Sequence, residues 1–182
     1  RLRWQPPGAT AYVAIPAMQL VPAVVAAPSA AGLVGQYFNN TTLSGTAALQ
    51  RSEAVDFGWD TAAPATGVNA DNFSARWTGT ITIPTTGSYK LRTVSDDGVR
   101  LWVNGTQRIN NWTDHGTTNN TTATLTFTAG QRVPVTLEYY EKTGGAVMRL
   151  QWLKPGTSSY VAIPIASLNG NCRAARPRGA GG

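Results

Sequence analysis

The residues of this chain best suited to chemistry are the adjacent acids of Ser95-Asp96-Asp97-Gly98. Two neighbouring carboxylates repel one another unless something positive lies between them. On an extended strand their side chains would point to opposite faces, so gripping one ion together requires a sharp bend, for instance a cis peptide. Carboxylate and carbonyl oxygens are hard ligands of the kind calcium collects, about six to eight at a time. On residue types alone, Asp97-Gly98 reads better as an ordinary hairpin turn than as half of an ion site. Both readings stay open at this point.

No catalytic constellation competes with that pair. His115 is the only histidine and Cys172 the only cysteine. A Ser-His-Asp device would have to use His115, yet no serine sits in a nucleophile-elbow pattern. The remaining acids leave a glycosidase-type pair formally open, but no spacing selects one as acid and another as nucleophile. The chain is therefore expected not to be an enzyme. His115 is expected to make a structural hydrogen bond. Arg76 and Arg100 are expected to pair with nearby acids or to lie on a solvated face.

The elements that must position these residues read as strands. Period-two alternation with β-branched and aromatic residues marks 35–38, 73–83, 88–94, 99–103, 121–127, 132–140 and 146–153. In the strand over 88–94, Tyr89, Leu91 and Thr93 share one face, and Val133, Val135, Leu137 and Tyr139 do so in a later one. Asn104-Gly105 between two such runs is a strong hairpin signal, and Pro84-Thr85-Thr86-Gly87 is another turn. Many antiparallel strands joined by tight turns predict an all-β, two-sheet antiparallel β-sandwich.

The net charge of +6 could suggest a nucleic-acid partner, so its location matters. Residues 31–168 hold ten Lys or Arg against nine Asp or Glu, and the surplus lies at Arg1, Arg3, Arg173, Arg176 and Arg178. A nearly neutral body lacks the basic face that a duplex binder gathers. No apolar stretch reaches the length of a membrane span. A single cysteine builds neither a disulfide framework nor a cysteine-based metal site.

An internal repeat frames the organisation. RLRWQPPGATAYVAIPAMQL (1–20) and RLQWLKPGTSSYVAIPIASL (149–168) are identical at eleven of twenty positions, at a constant offset of 148. The expected division is a closing strand of a preceding similar module at 1–20, a Pro/Ala linker at 21–31, a complete module at 32–168, and an Arg/Gly-rich tail at 169–182. Alternatively, residues 1–20 are a donor strand that replaces the equivalent strand of a neighbouring molecule and builds a filament.

Ser95 to Gly105 (SDDGVRLWVNG), followed by Asn111 to Gly116 (NWTDHG), resembles the PA14 domain family, named for a piece of a toxin's protective antigen. Gly32 to Phe38 is similar to its first strand, and Phe73 to Gly79 with Gly87-Ser88-Tyr89 to its central pieces. Glu138 to Glu141 and Arg149 to Trp152 are similar to its closing strands, so the resemblance runs in order from Gly32 to Leu168.

The resemblance implies a β-sandwich of secreted adhesins, toxins and carbohydrate-active enzymes. It implies that Asp96 and Asp97, joined by a cis peptide, bind Ca2+, and that the ion coordinates neighbouring hydroxyls of a sugar. Further metal ligands would come from main-chain oxygens of the loop Lys142-Thr143-Gly144-Gly145-Ala146, with Lys142, Gly144 and Ala146 on the ion. Trp112, Thr143 and Gly145 would join the two aspartates on the sugar side, Trp112 being the candidate to stack on its ring. The expected function is a calcium-dependent, lectin-like adhesion module, extracellular or on a cell surface, with glycans as partners and no nucleic acid. Any secretion signal is expected to have been removed or to lie upstream. The alternative is a structural subunit or spacer of a filament or tandem array that self-associates through residues 1–20.

Overall fold

In a computed structural model, residues 30–170 are described throughout, together with the strand pairing of residues 3–4 and 13–14. Of the linker expected at 21–31 and the tail expected at 169–182, residues 21–29 and 171–182, including Cys172, lie outside the described residues, whereas Ala31 and Asn169 form a bridge within the body.

Two short strands, β1 (Arg3–Trp4) and β2 (Val13–Ala14), come first. The body then runs through β3 (Leu33–Phe38), β4 (Leu49–Glu53), β5 (Asp56–Asp60), β6 (Phe73–Thr82) and β7 (Gly87–Asp96). It continues with β8 (Val99–Val103), β9 (Thr106–Asn111), β10 (Thr118–Thr121), β11 (Leu125–Phe127) and β12 (Arg132–Glu141). The last strands are β13 (Ala146–Leu153), β14 (Val161–Ala162) and β15 (Leu168–Asn169), with a 3-10 turn at Ile165–Ser167 between the final two.

One antiparallel sheet has the order β4-β3-β6-β12-β8-β9, with β15 also pairing β6. In the other, β7 and β13 lie side by side; β10 and β11 pair β7, while β14 and β5 pair β13. This is the predicted two-sheet sandwich. Its core is the set of alternate residues that each strand turns inward, including Trp77 and Leu137 from one sheet and Tyr89, Leu91, Met148 and Trp152 from the other. The start and end of the body clasp each other, with Gly32 N–H donating to Leu168 O at 2.9 Å and Gly170 N–H to Ala30 O at 3.0 Å.

Several expectations are corrected in detail. The strand read over 121–127 is two strands, because β10 and β11 pair β7 in registers one residue apart. Buried Thr122 fills the break: its hydroxyl accepts the Leu91 N–H at 3.1 Å, replacing a ladder bond. Asp97-Gly98 is not a hairpin turn, since β7 and β8 belong to different sheets and this dipeptide carries the chain across the sandwich. The Asn104-Gly105 hairpin forms as expected, both residues having the positive φ (51° and 74°) that a tight primed turn requires.

The repeated sequence repeats in structure as well. Gln151 pairs Ala162 and Trp152 pairs Val161 where β13 meets β14. Arg3 pairs Ala14 and Trp4 pairs Val13 where β1 meets β2, and each of these positions is offset by the same 148 residues. What looked like a single closing strand is thus a strand and its return, paired in the same register in both copies.

Candidate functional site

Four segments meet where β7 leaves its sheet. β7 ends at Asp96, and the Asp96–Asp97 peptide is cis. Gly98 follows, pressed against the Tyr140 ring so closely that a Cβ there would collide with it. Gly98 O accepts the Tyr140 N–H at 3.0 Å, which ties the crossing to the end of β12. Beyond β12 lies the loop 142–145, and the loop 112–117 reaches in from between β9 and β10.

These segments hold the two aspartates through fixed donors. Asp97, 6% exposed, accepts the His115 N–H on Oδ1 at 2.8 Å and the Lys142 N–H on Oδ2 at 3.0 Å. Asp96 Oδ2 accepts the Thr117 hydroxyl at 3.2 Å, and its main-chain oxygen accepts the Tyr139 hydroxyl. The donor from His115 is its main chain; the imidazole contacts the neighbouring Gly116 O through Nδ1 at 2.9 Å, and its Nε2 is buried without a partner. Each carboxylate oxygen has two lone pairs, so the bonds to the aspartates leave acceptor capacity for an ion.

The sequence reading missed a third acid. Glu141 is fully buried, and ligand oxygens of Asp96, Asp97 and Glu141 lie within 4.8 Å of one another. Glu141 Oε2 lies 2.9 Å from the Tyr139 hydroxyl, whose single proton it shares with Asp96 O, whereas Oε1 is buried without a partner. A buried acceptor left unpaired is costly unless something outside the chain satisfies it. Burial pushes the Glu141 carboxyl up to about 7; the Tyr139 hydrogen bond opposes that rise, and the Asp97, Asp96 and Asp71 charges add to it. Three hard carboxylates converging on one point, one of them with an orphaned oxygen, fit a hard divalent cation such as calcium. The signal for Glu141 was present in the alternation of β12: it continues the inward parity of Val133, Val135, Leu137 and Tyr139.

The loop that was expected to supply main-chain ligands is anchored on both sides. Lys142 O accepts the Asn72 N–H at 2.9 Å, and Gly144, at φ 110°, donates its N–H to Asp71 Oδ1 at 3.1 Å. Thr143 is exposed and Gly145 half-buried, while Ala146 is buried and opposite Asp60 in the β13–β5 pairing. The Lys142 ammonium donates to Asp114 Oδ2. Asp114 Oδ1 in turn accepts the Tyr140 hydroxyl at 2.8 Å.

A cavity of about 300 Å³ is walled by Trp112, Asp114, Tyr140 and Lys142 with Asn72 and Thr42; it adjoins the cluster through Lys142, whose N–H holds Asp97, and none of the three acids lines it. The half-buried Trp112 ring meets the Tyr140 ring edge-on at 4.8 Å, and the Arg100 guanidinium lies 3.8 Å from its centre. Arg100 is held by Glu138, which it shares with Arg76, so both arginines pair with an acid as expected.

The model of the family described as the PA14 domain matches residues 29–165, most of the chain. The chain belongs to the PA14 family. Over 137 residues (75% of the chain) this PA14 domain is 32% identical to the anti-sigma-I factor RsgI3 of Acetivibrio thermocellus, of which the match covers 21%. A solved anti-sigma factor domain-containing protein superimposes with a TM-score of 0.75 at 30% identity, over 80% of this chain and 50% of its own. A PA14 sugar-binding domain from an RTX adhesin gives a TM-score of 0.63 at 17% identity, over 79% of this chain and 99% of its own, a likeness of fold. The chain therefore spans about a fifth of the curated relative and half of the first of these structures.

Proposed function

We propose that this PA14 domain is a calcium-dependent carbohydrate-binding module of an extracellular or cell-surface protein. The observation that carries this reading is the convergence of Asp96, Asp97 and the half-satisfied Glu141 beside a cavity walled by an indole. Asp96, Asp97 and Glu141 would hold the ion, with main-chain oxygens of Lys142, Gly144 and Ala146 as the expected completion of its shell. A bound calcium ion supplies open coordination positions that neighbouring sugar hydroxyls can fill. The protein's own part is to fix the acids with the His115, Lys142 and Thr117 donors and to offer Trp112 as an apolar wall. Thr143 and Gly145 lie on the same loop as candidate sugar contacts.

The sugar-binding description of the RTX adhesin domain supports this reading. The similarity to anti-sigma factors supports a setting in which the module is one part of a larger regulatory protein. In that setting glycan binding would be an input, and the matched stretch is too small a share of RsgI3 to be assigned sigma-factor binding. Calorimetry against glycans in calcium and then in chelator tests the module directly. Binding should vanish with chelator and in Asp96→Ala/Asp97→Ala; binding that persists in that double variant removes the mechanism.

A second reading rests on its own observation. The shared register of β1–β2 and β13–β14 supports residues 1–20 as the closing hairpin of another PA14 copy, in a tandem array or a strand-donated assembly. Deleting residues 1–20 and following particle size distinguishes these possibilities: assembly lost on deletion supports donation, and a monomer in both cases rules it out.

A further inference from the structure

The cavity beside the acid cluster has a single cation in its wall, and that cation is already engaged. Lys142 Nζ donates to Asp114, whose second oxygen is occupied by the Tyr140 hydroxyl. Arg100, behind Trp112, is bound by Glu138. Around the proposed ion stand Asp96, Asp97 and Glu141, with Asp71 on the Gly144 N–H; these four carboxylates exceed the double charge of a calcium ion.

A saccharide bearing a carboxylate or sulfate would enter a net negative field with no free ammonium to meet it. Recruiting Lys142 would leave Asp114 with the Tyr140 hydroxyl as its one remaining side-chain donor. Uncharged hydroxyls incur neither penalty, and discrimination by unpaired like charge is a common way to reject a near-isosteric ligand. We propose that Asp114 is a specificity-determining residue: by neutralising Lys142 it makes the cavity select uncharged saccharides and reject uronate- or sulfate-bearing ones. This rests on the carbohydrate-binding reading above and adds the substrate class to it. Because Lys142 and Asp114 are each about half exposed, at 56% and 51%, added salt screens the field and should narrow the preference.

The test uses the full chain loaded with calcium at neutral pH and low salt. Matched oligosaccharides differ only in a hydroxymethyl or a carboxylate on the ring, such as galactose against galacturonate and glucose against glucuronate. The neutral member of the bound pair should bind at least about tenfold more tightly. The gap should close in Asp114→Asn, which frees Lys142, while calcium affinity measured alone stays within about twofold. Equal or tighter binding of the acidic member overturns the proposal and leaves calcium-dependent carbohydrate binding intact, as does a gap that Asp114→Asn leaves unchanged. Failure to bind either member of any pair, by a protein that does bind calcium, removes the carbohydrate reading and this one with it.

Discussion

Two buried glutamates sit in the same sheet, one on its edge strand β4 and one on the interior strand β12, and their surroundings differ in kind. Glu53, closing the edge strand β4, is fully satisfied from within the chain. Its Oε1 accepts the Tyr37 hydroxyl at 2.7 Å and the Trp77 indole N–H at 2.8 Å, and its Oε2 is held by Arg51. Glu141, closing β12, has one shared hydroxyl donor, an unpaired oxygen and two aspartates as neighbours. A buried acid given donors and a counter-charge stabilises a fold; one given like charges and an orphaned oxygen is poised for a cation from outside. The contrast separates a structural acid from a proposed ligand acid.

The comparison breaks first, and most visibly, at Glu53. Glu53→Gln turns one carboxylate oxygen into a donor facing Tyr37, Trp77 or Arg51, all of which donate. The expected loss is about 3 kcal/mol of unfolding free energy, read as a shift of the urea midpoint at unchanged slope and identical in calcium and in chelator. Calcium itself should give the next largest effect. At about a hundredfold excess over its Kd it should stabilise the wild-type chain by about 2.7 kcal/mol. Glu53→Gln should keep that increment in full. Glu141→Gln, with affinity expected about tenfold weaker, should gain about half of it at the same calcium concentration. Equal increments in all three proteins would show that Glu141 does not touch the ion.

The same contrast explains what could be read in advance. Strands that bury a run of alternate apolar residues, such as β7, β12 and β13, declare themselves by period two. β4 does not, because the inward residue at its end is Glu53, whose burial depends on Tyr37 and Trp77 from other strands. β5 hides likewise behind Asp56 and Asp60, which flank the inward Phe57 and Trp59. The break between β10 and β11 is invisible in a threonine-rich stretch, since a Thr122 side chain and not an apolar register fixes it. At the site, resemblance led to Asp96 and Asp97, whereas the residues alone allowed a turn. Only the assignment of β7 and β8 to separate sheets removes that turn. Glu141 obeyed the inward alternation of its strand, but an acid at the end of a strand ordinarily reads as solvated. Its role depends on a loop 26 residues earlier and on β7, which no local pattern reports.

A pH-dependent difference follows from Glu141. In chelator its folded pKa, about 7, lies above the 4.5 of an unperturbed glutamate, so the folded chain binds the proton more tightly than the unfolded one. The stabilisation from this group is full below 4.5 and is lost as pH rises through 7, with a slope of at most about 1.4 kcal/mol per pH unit for one proton. Wild type should therefore lose stability relative to Glu141→Gln across that window in urea titrations under chelator. Calcium, which binds the ionised form, should flatten the profile. A wild-type curve parallel to that of Glu141→Gln would show that the burial and like charges around Glu141 leave its proton unaffected.

The smallest effect tests how each acid is held. Asp96 Oδ2 takes an exposed and fairly long hydrogen bond from Thr117, whereas Glu53 takes a short, buried one from Tyr37. Thr117→Val removes a donor that water can replace in the free protein, so its stability in chelator should change by less than about 0.5 kcal/mol. With the ion bound, the same hydroxyl orients a ligand oxygen, and its loss should weaken calcium affinity by up to about tenfold. Tyr37→Phe should show the reverse split, about 1 to 3 kcal/mol of stability with calcium affinity unmoved. If instead Thr117→Val destabilises the chelated chain and leaves calcium binding alone, the donors around Asp96 serve the fold, and the distinction between the two sets of buried acids fails.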